Sequence, residues 1–166
     1  TVGGDSGTAV LSGITFDFGA RAYATSMIRI SSNSILENIT VRNCDNIGTT
    51  GNVAMFSMRW SCNTIVRDYT IDGYRPRATN STLGDAGIFI IEGARLGYVQ
   101  RGRTRGASYG ADSHITFGVS RSTDIYIENG VHENVQAYLL AHNGGNRNVH
   151  FRNNYIELVE DPLSGA

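Results

Sequence analysis

The sequence predicts an all-β fold, a parallel β-helix of about five to six coils with three short strands each. Three observations lead to this prediction. A six-residue pattern recurs along the chain, its spacing varies by several residues, and the apolar positions alternate in short runs without the 3.6-residue period of a helix. Gly, Asn, Ser and Thr supply much of the polar surface beside only 2 Pro, which favours turn-rich β structure.

The repeated pattern reads Asn or Asp, two free positions, an aliphatic or aromatic residue, Glu or Arg, then Asn or Asp. Four segments obey it: NSILEN at 33–38, NTIVRD at 63–68, DIYIEN at 124–129 and NVHFRN at 148–153. LGYVQR at 96–101 and the segment ending at Gly13 are weaker copies. Counted on the last position, the copies are separated by 25, 30, 33, 28 and 24 residues. Such variation indicates constant strands joined by loops of different length.

The last position of the pattern marks a corner between two strands. Gly, Asn and Asp tolerate a left-handed backbone, so one such residue turns the chain sharply without ending the sheet. An alternating strand such as ITVRN follows the corner, and an apolar strand such as MFSMRW precedes the pattern. Arg101 departs from this rule, and we expect Gly102 to take the positive φ there in an irregular corner.

The alternation also predicts which side chains fill the interior and which form ladders. We expect the following residues to point mostly inward: Ile35, Leu36, Ile39, Val41, Ile65, Ile71, Ile127, Val149 and Phe151. Corner side chains of successive coils should hydrogen-bond, Asn38 near Asp68 and Asn129 near Asn153.

Composition limits the partners. Charged residues make up 17% of the chain and the net charge is -1, which argues against nucleic acid and against an anionic membrane surface. The sequence contains no run of 18 apolar residues, so it predicts no membrane-spanning helix. Cys44 and Cys62 lack metal-ligand spacing and read as small buried residues or one optional disulfide, and no cofactor or metal site is predicted.

Residues 1–166 fit a single domain, and neither end reads as a cap. A stack of coils exposes open strand edges and an apolar interior at both ends. We therefore expect the domain to be a piece of a longer chain, or a homo-oligomer in which a trimer is favoured.

The segments NVHFRNNYIELV and SILENITVRN resemble the pectin-lyase-like superfamily of right-handed parallel β-helices. The resemblance implies a right-handed solenoid, a groove that binds an extended polysaccharide, and an extracellular or virion-surface location. The chain lacks the Asp-Asp pair and the Gly-His-Gly of polygalacturonases, and Arg75-Pro76-Arg77 is only a fragment of the pectate lyase pattern. Phage tailspike depolymerases, which have no fixed motif, resemble the chain in fold.

Candidate functional residues lie in the long loops and on the outer face of the first strands. Long loops at 44–54, 74–86 and 107–113 fall on one edge and would wall a groove beside the first strands. Candidate acids or bases are Asp85, Glu92, Asp112 and His114. Candidate substrate-binding residues are Arg29, Arg59, Arg75, Arg77, Arg101, Arg103, Tyr74 and Tyr109, because guanidinium groups bind carboxylates and Tyr rings stack on sugars.

Two classes of function remain open on the sequence. In a polysaccharide-binding and polysaccharide-degrading domain, hydrolysis needs two carboxyl groups about 5 to 9.5 Å apart. Lyase chemistry instead needs a base, for which His114, His132 or an arginine are candidates. In a non-catalytic structural or adhesin module, Arg59 and Glu92 would simply pair between neighbouring coils.

Overall fold

The protein is a parallel β-solenoid, described in a computed structural model over residues 7–19, 28–43, 54–74, 87–106, 115–135, 137–141 and 145–158. The first strands of the coils are β3 (Ile28–Arg29), β5 (Ala54–Arg59), β7 (Gly87–Glu92), β10 (Ile115–Ser120) and β13 (Ala137–Ala141). The second and third strands are β1 (Ala9–Ser12), β2 (Thr15–Asp17), β4 (Ser34–Arg42), β6 (Cys62–Tyr74), β8 (Arg95–Gln100), β9 (Arg103–Gly106), β11 (Thr123–Glu128), β12 (Val131–Val135), β14 (Arg147–Arg152) and β15 (Tyr155–Leu158).

Every strand pairs in parallel with the equivalent strand of the next coil. The first strands follow the order β3, β5, β7, β10, β13. The second strands follow the order β1, β4, β6, β8, β11, β14, and the third the order β2, β4, β6, β9, β12, β15. β4 and β6 each run through the corner, so each contributes both a second and a third strand. The described residues contain no helix long and apolar enough to cross a membrane.

The predicted corners are confirmed by their backbone angles. The last pattern position has φ between 50° and 69° in every copy, at Gly13, Asn38, Asp68, Arg101, Asn129 and Asn153. The expectation for Arg101 was wrong, since Arg101 itself takes the positive φ of 50°. Its guanidinium donates to both carboxylate oxygens of Asp68 at 2.7 Å, and this pairing helps to offset the strain of the left-handed backbone.

Two further sets of left-handed residues complete the turns. The first position of the pattern has positive φ at Asn33, Asn63, Leu96, Asp124 and Asn148. The corner after the first strand has positive φ at Trp60, Gly93, Arg121 and Gly145. The recurring Asn or Asp at the start of the pattern is therefore a second conformational requirement.

Side-chain ladders link the corners of successive coils. Asn153 Nδ2 donates to Asn129 Oδ1 at 3.3 Å, as predicted. The expected contact between Asn38 and Asp68 is replaced, because Asn38 donates to Ser12 at 3.4 Å and Asp68 accepts from Arg101. The first pattern position forms its own ladder, in which Asn63 donates to Asn33 at 3.1 Å and Asn148 to Asp124 at 2.9 Å.

The interior is filled by aligned apolar columns. Phe56, Phe89 and Phe117 stack with ring centroids 4.9 and 5.1 Å apart. Most predicted core residues are confirmed: Leu36, Ile39, Val41, Ile71 and Ile127 are buried, and Val149 and Phe151 pack against them.

Ile35 and Ile65 were wrongly expected inside the solenoid. Each precedes an inward residue, Leu36 or Val66, and the period of two places it on the outer face, where it is only partly buried. Cys62 was expected to be buried, but it is exposed and free, and Cys44 lies outside the described residues.

The close approach of two interior columns explains Gly102. A Cβ atom at this position would lie 1.8 Å from the Tyr69 ring, which is itself buried. We expect Gly102→Ala to lower the free energy of unfolding by about 2 kcal/mol or more through overpacking. Gly118→Ala is the matched control, because its nearest neighbour would be 3.8 Å away. Urea unfolding of both variants checks this, and equal midpoints would contradict the predicted clash.

Candidate functional site

Within the described residues, most of the first-strand face is buried, and it is open near the ends of its strands. Met55 and Ile88 alternate with the inward Phe56 and Phe89, yet they are buried, and Ser57 and Ile90 are 5 and 7% exposed. Arg59 and Glu92, at the ends of β5 and β7, are partly exposed. The described part of this face therefore offers a ligand its surface at Arg59 and Glu92, and at the exposed Arg29 of β3.

Arg59 and Glu92 form an ion pair between neighbouring coils. The strands align these residues, and Arg59 Nε lies 3.2 Å from Glu92 Oε2, without hydrogen-bond geometry. Their side chains keep 31 and 25% of their surface exposed. Arg29 is exposed, but it aligns with Ser57 and so lies in a different column from Arg59.

Trp60 adjoins this ion pair and was missed by the sequence reasoning. It follows Arg59 with a φ of 54° and is 69% exposed. Its backbone N–H donates to the backbone carbonyl of Glu92 at 2.8 Å, and its ring packs over Gly93, where a Cβ would lie 2.3 Å from the ring. The available signal was the single Trp at a strand end where the next coil has Glu-Gly.

Arg101 and Arg103, the two other arginine candidates among the described residues, pair with carboxylates on the second and third strands. Arg101 pairs with Asp68 at the corner between second and third strands, and its hydrogen bonds lower the pKa of the Asp68 carboxyl. Arg103 on β9 pairs with Glu133 at 2.8 Å. Tyr74 is the last residue of β6. The candidates outside the described residues are Arg75, Arg77, Asp85, Tyr109, Asp112 and His114.

His132 lies inside the solenoid, where a polysaccharide cannot reach it. It is fully buried, shares a 2.7 Å hydrogen bond between Nδ1 and Thr104 Oγ1, and meets the Phe117 ring edge-on at 5.3 Å. Burial lowers the pKa of His132 to about 4, because the charged form loses its hydration. The structure therefore indicates that His132 contributes to the packing of the interior.

A second outward ladder was also missed. Tyr98, Tyr126 and His150 occupy the third position of the pattern and stack with centroids 5.0 and 4.9 Å apart. Their faces contact one another, so these rings stabilise the stacking of coils. Within the described ranges, no three His, Cys, Asp or Glu side chains come together as a metal site.

Comparisons with known proteins bear on the fold of this chain and do not assign its function. No protein-family model and no curated protein sequence matches the chain. The structure is similar to a protein from Parabacteroides merdae ATCC 43184 that is described as a putative glycosyl hydrolase. The TM-score is 0.51 and the identity 13%, over 87% of this chain and 81% of that one. Parallel β-solenoid is thus the class shown for this chain.

The interior position of His132 predicts a pH-dependent stability. Its folded pKa of about 4 lies below the ordinary 6.5, so the unfolded chain binds the proton more readily. Its contribution is complete above pH 6.5 and is lost as the pH falls from 6.5 towards 4, by up to about 3 kcal/mol. The midpoint of urea unfolding should therefore decrease as the pH is lowered from 6.5 to 4.

The control separates this effect from general acid sensitivity. His132→Asn should flatten the dependence between pH 6.5 and 4, whereas His150→Asn should retain it because His150 lies on the outer face. A His132→Asn variant with the wild-type slope would refute the assignment.

Proposed function

We propose that this chain binds a polysaccharide along the first-strand face, with contact centred on Trp60 and the adjacent Arg59–Glu92 pair. The single observation that supports this is the exposure of Trp60, a residue that is 69% exposed at the open end of the face. A broad apolar ring stacks on the apolar face of a sugar, while charged neighbours hydrogen-bond its hydroxyl groups.

The indole is held ready for binding. The left-handed conformation and the hydrogen bond to the Glu92 carbonyl hold the Trp60 backbone, and the ring itself packs over Gly93. A ring ordered before binding loses little conformational freedom on contact, which favours affinity. This arrangement distinguishes Trp60 from an aromatic residue that is merely exposed on a surface.

The proposal includes membership of the pectin-lyase-like superfamily and cleavage of the bound chain. Glu92 is the candidate carboxylate at the open end of the face, where Arg59 orients it. Asp85 or Asp112 would supply the second carboxyl group that hydrolysis needs. The similarity to the Parabacteroides merdae protein supports the scaffold for such chemistry and does not assign it.

A non-catalytic structural or adhesin module is the second candidate, and a specific observation favours it. Five further ion pairs among the described residues join consecutive coils: Arg42–Asp17, Arg67–Glu37, Arg101–Asp68, Arg103–Glu133 and Arg152–Glu128. Charges used for stacking are not available for chemistry. The homotrimer and the extracellular or virion-surface location remain predictions in either case.

Removal of the indole should weaken binding. Trp60→Asn keeps a residue that tolerates positive φ, so the corner is retained while the ring is lost. We expect affinity for a bound polysaccharide to fall at least about tenfold, or about 1.4 kcal/mol, in titration calorimetry. Tyr155→Asn, which removes a 58% exposed ring from the third-strand face, should bind normally. Unchanged binding by Trp60→Asn would place the glycan elsewhere.

Cleavage is tested by carboxylate substitution. Asp85→Asn, Glu92→Gln and Asp112→Asn each replace a carboxylate by the amide of nearly the same shape, and circular dichroism checks that the variants keep the fold. At least one should abolish reducing-end release, or the absorbance of unsaturated uronates, on a polysaccharide that the wild type cleaves. Glu37→Gln, which breaks the ion pair with Arg67 on the second-strand face, serves as the control. Full activity of all three variants would remove these carboxylates from the mechanism.

A further inference from the structure

The corner between the first and second strands carries three exposed arginines on consecutive coils. Arg95 and Arg147 lie in one column, where both align with Thr123 of the intervening coil. Arg121 lies on that intervening coil, two residues before Thr123. Successive coils are about 4.8 Å apart, so Arg95 and Arg147 are separated by about 10 Å along the solenoid axis.

These arginines differ from most others in the structure. Arg42, Arg59, Arg67, Arg101, Arg103 and Arg152 each pair with a carboxylate. Within the described residues, no carboxylate lies at ion-pair distance from Arg95, Arg121 or Arg147. The nearby Asp124 accepts a hydrogen bond from Asn148. Positive charge therefore collects at this corner of a chain whose net charge is -1.

The surface that carries Arg95, Arg121 and Arg147 is continuous with the Trp60 indole. Trp60 packs over Gly93, two residues before Arg95 on the same coil. Gly93 N–H donates to the carbonyl of Ser120 at 3.0 Å, which places Gly93 beside Arg121 of the next coil. The exposed ring and the three guanidinium groups thus share one surface. We refer to Arg95, Arg121 and Arg147 as the arginine corner, which Trp60 adjoins.

We propose that the arginine corner selects a polysaccharide that carries carboxylates, such as a uronate polymer running along the solenoid axis. This inference rests on the proposed function and names the substrate class of that surface. A guanidinium group binds a carboxylate through two parallel hydrogen bonds, and unpaired guanidinium groups on successive coils match charges repeated along a polymer. The Trp60 ring supplies the stacking contact with a sugar at one end of this row.

The site differs from the loop arginines considered on the sequence. Arg101 and Arg103 are engaged with Asp68 and Glu133, so a carboxylate ligand would first have to displace an internal partner. Arg29 and Arg105 have no described ion pair either, but they lie singly on β3 and β9. Only at the arginine corner, within the described residues, do consecutive coils each present an uncompensated guanidinium beside an exposed indole.

Matched polymers test the selection. Polygalacturonate, alginate and hyaluronan are each titrated beside the carboxyl-reduced form, which keeps the chain and removes the charge. We expect wild-type protein to bind at least one acidic form about tenfold or more tightly than its reduced counterpart at low salt, and the difference to shrink with added salt.

Two triple variants test whether the arginine corner causes the preference for acidic polymers. Arg95→Gln, Arg121→Asn and Arg147→Gln are combined, because Asn suits the positive φ of position 121. The triple variant should bind acidic and reduced forms equally. A charge-matched control, Arg42→Gln with Arg105→Gln and Arg152→Gln, removes three arginines that lie away from this corner, with Arg152 at the opposite end of β14 from Arg147, and should keep the preference. Circular dichroism of both confirms folding.

The outcomes separate this inference from the proposed function. Failure to bind any polysaccharide, charged or reduced, overturns both. Equal binding of acidic and reduced forms by the wild type overturns the carboxylate selection and leaves polysaccharide binding intact. A preference retained by the corner variant overturns the location. Tighter binding of a single-stranded oligonucleotide than of every polysaccharide assigns the corner to nucleic acid and overturns the proposal.

Discussion

The solenoid depends on a left-handed backbone at fixed points of every coil. Each coil must turn sharply to return over the previous one, and a positive φ achieves the turn within a single residue. Gly, Asn and Asp accept this conformation with little strain, whereas other residues store roughly 1 to 3 kcal/mol. The stacked strands hold the strained positions in place, because each corner amide hydrogen-bonds to the neighbouring coil, as in Arg101 to Glu128 and Trp60 to Glu92.

The strained exceptions have a consistent location. Of the described residues with positive φ that are not Gly, Asn or Asp, Trp60, Leu96 and Arg121 lie at or beside the arginine corner, and Arg101 is offset by Asp68. Strained backbone concentrates at functional surfaces because ordinary packing selects against it. An observed outlier thus motivates a functional hypothesis, and here the outliers coincide with the exposed indole and an unpaired guanidinium.

Fold and site differed in how far the sequence could predict them. The corners were predictable because the requirement is local and only a few residue types meet it, as Asn38 and Asn129 show. Arg101 was misjudged because its compensating partner, Asp68, is 33 residues earlier. Ile35 was misplaced because hydrophobicity alone does not decide which of two adjacent apolar residues faces inward. The corner arginines escaped notice since Arg95, Arg121 and Arg147 are each 26 residues apart and meet only through strand register.

Charge pairing then distinguishes scaffold from binding surface. A column of alternating Arg and carboxylate residues, such as Glu37 with Arg67, stabilises stacking modestly and neutralises itself. Unpaired arginines on consecutive coils, with Arg95 and Arg147 in one column and Arg121 beside it, would instead repel one another, and a scaffold role gives no reason to keep them. The repulsion is relieved when an anion binds, so the same feature that slightly destabilises the bare solenoid favours a carboxylated partner. In a chain with nearly balanced charge, this asymmetry at the arginine corner is better explained by recognition than by folding.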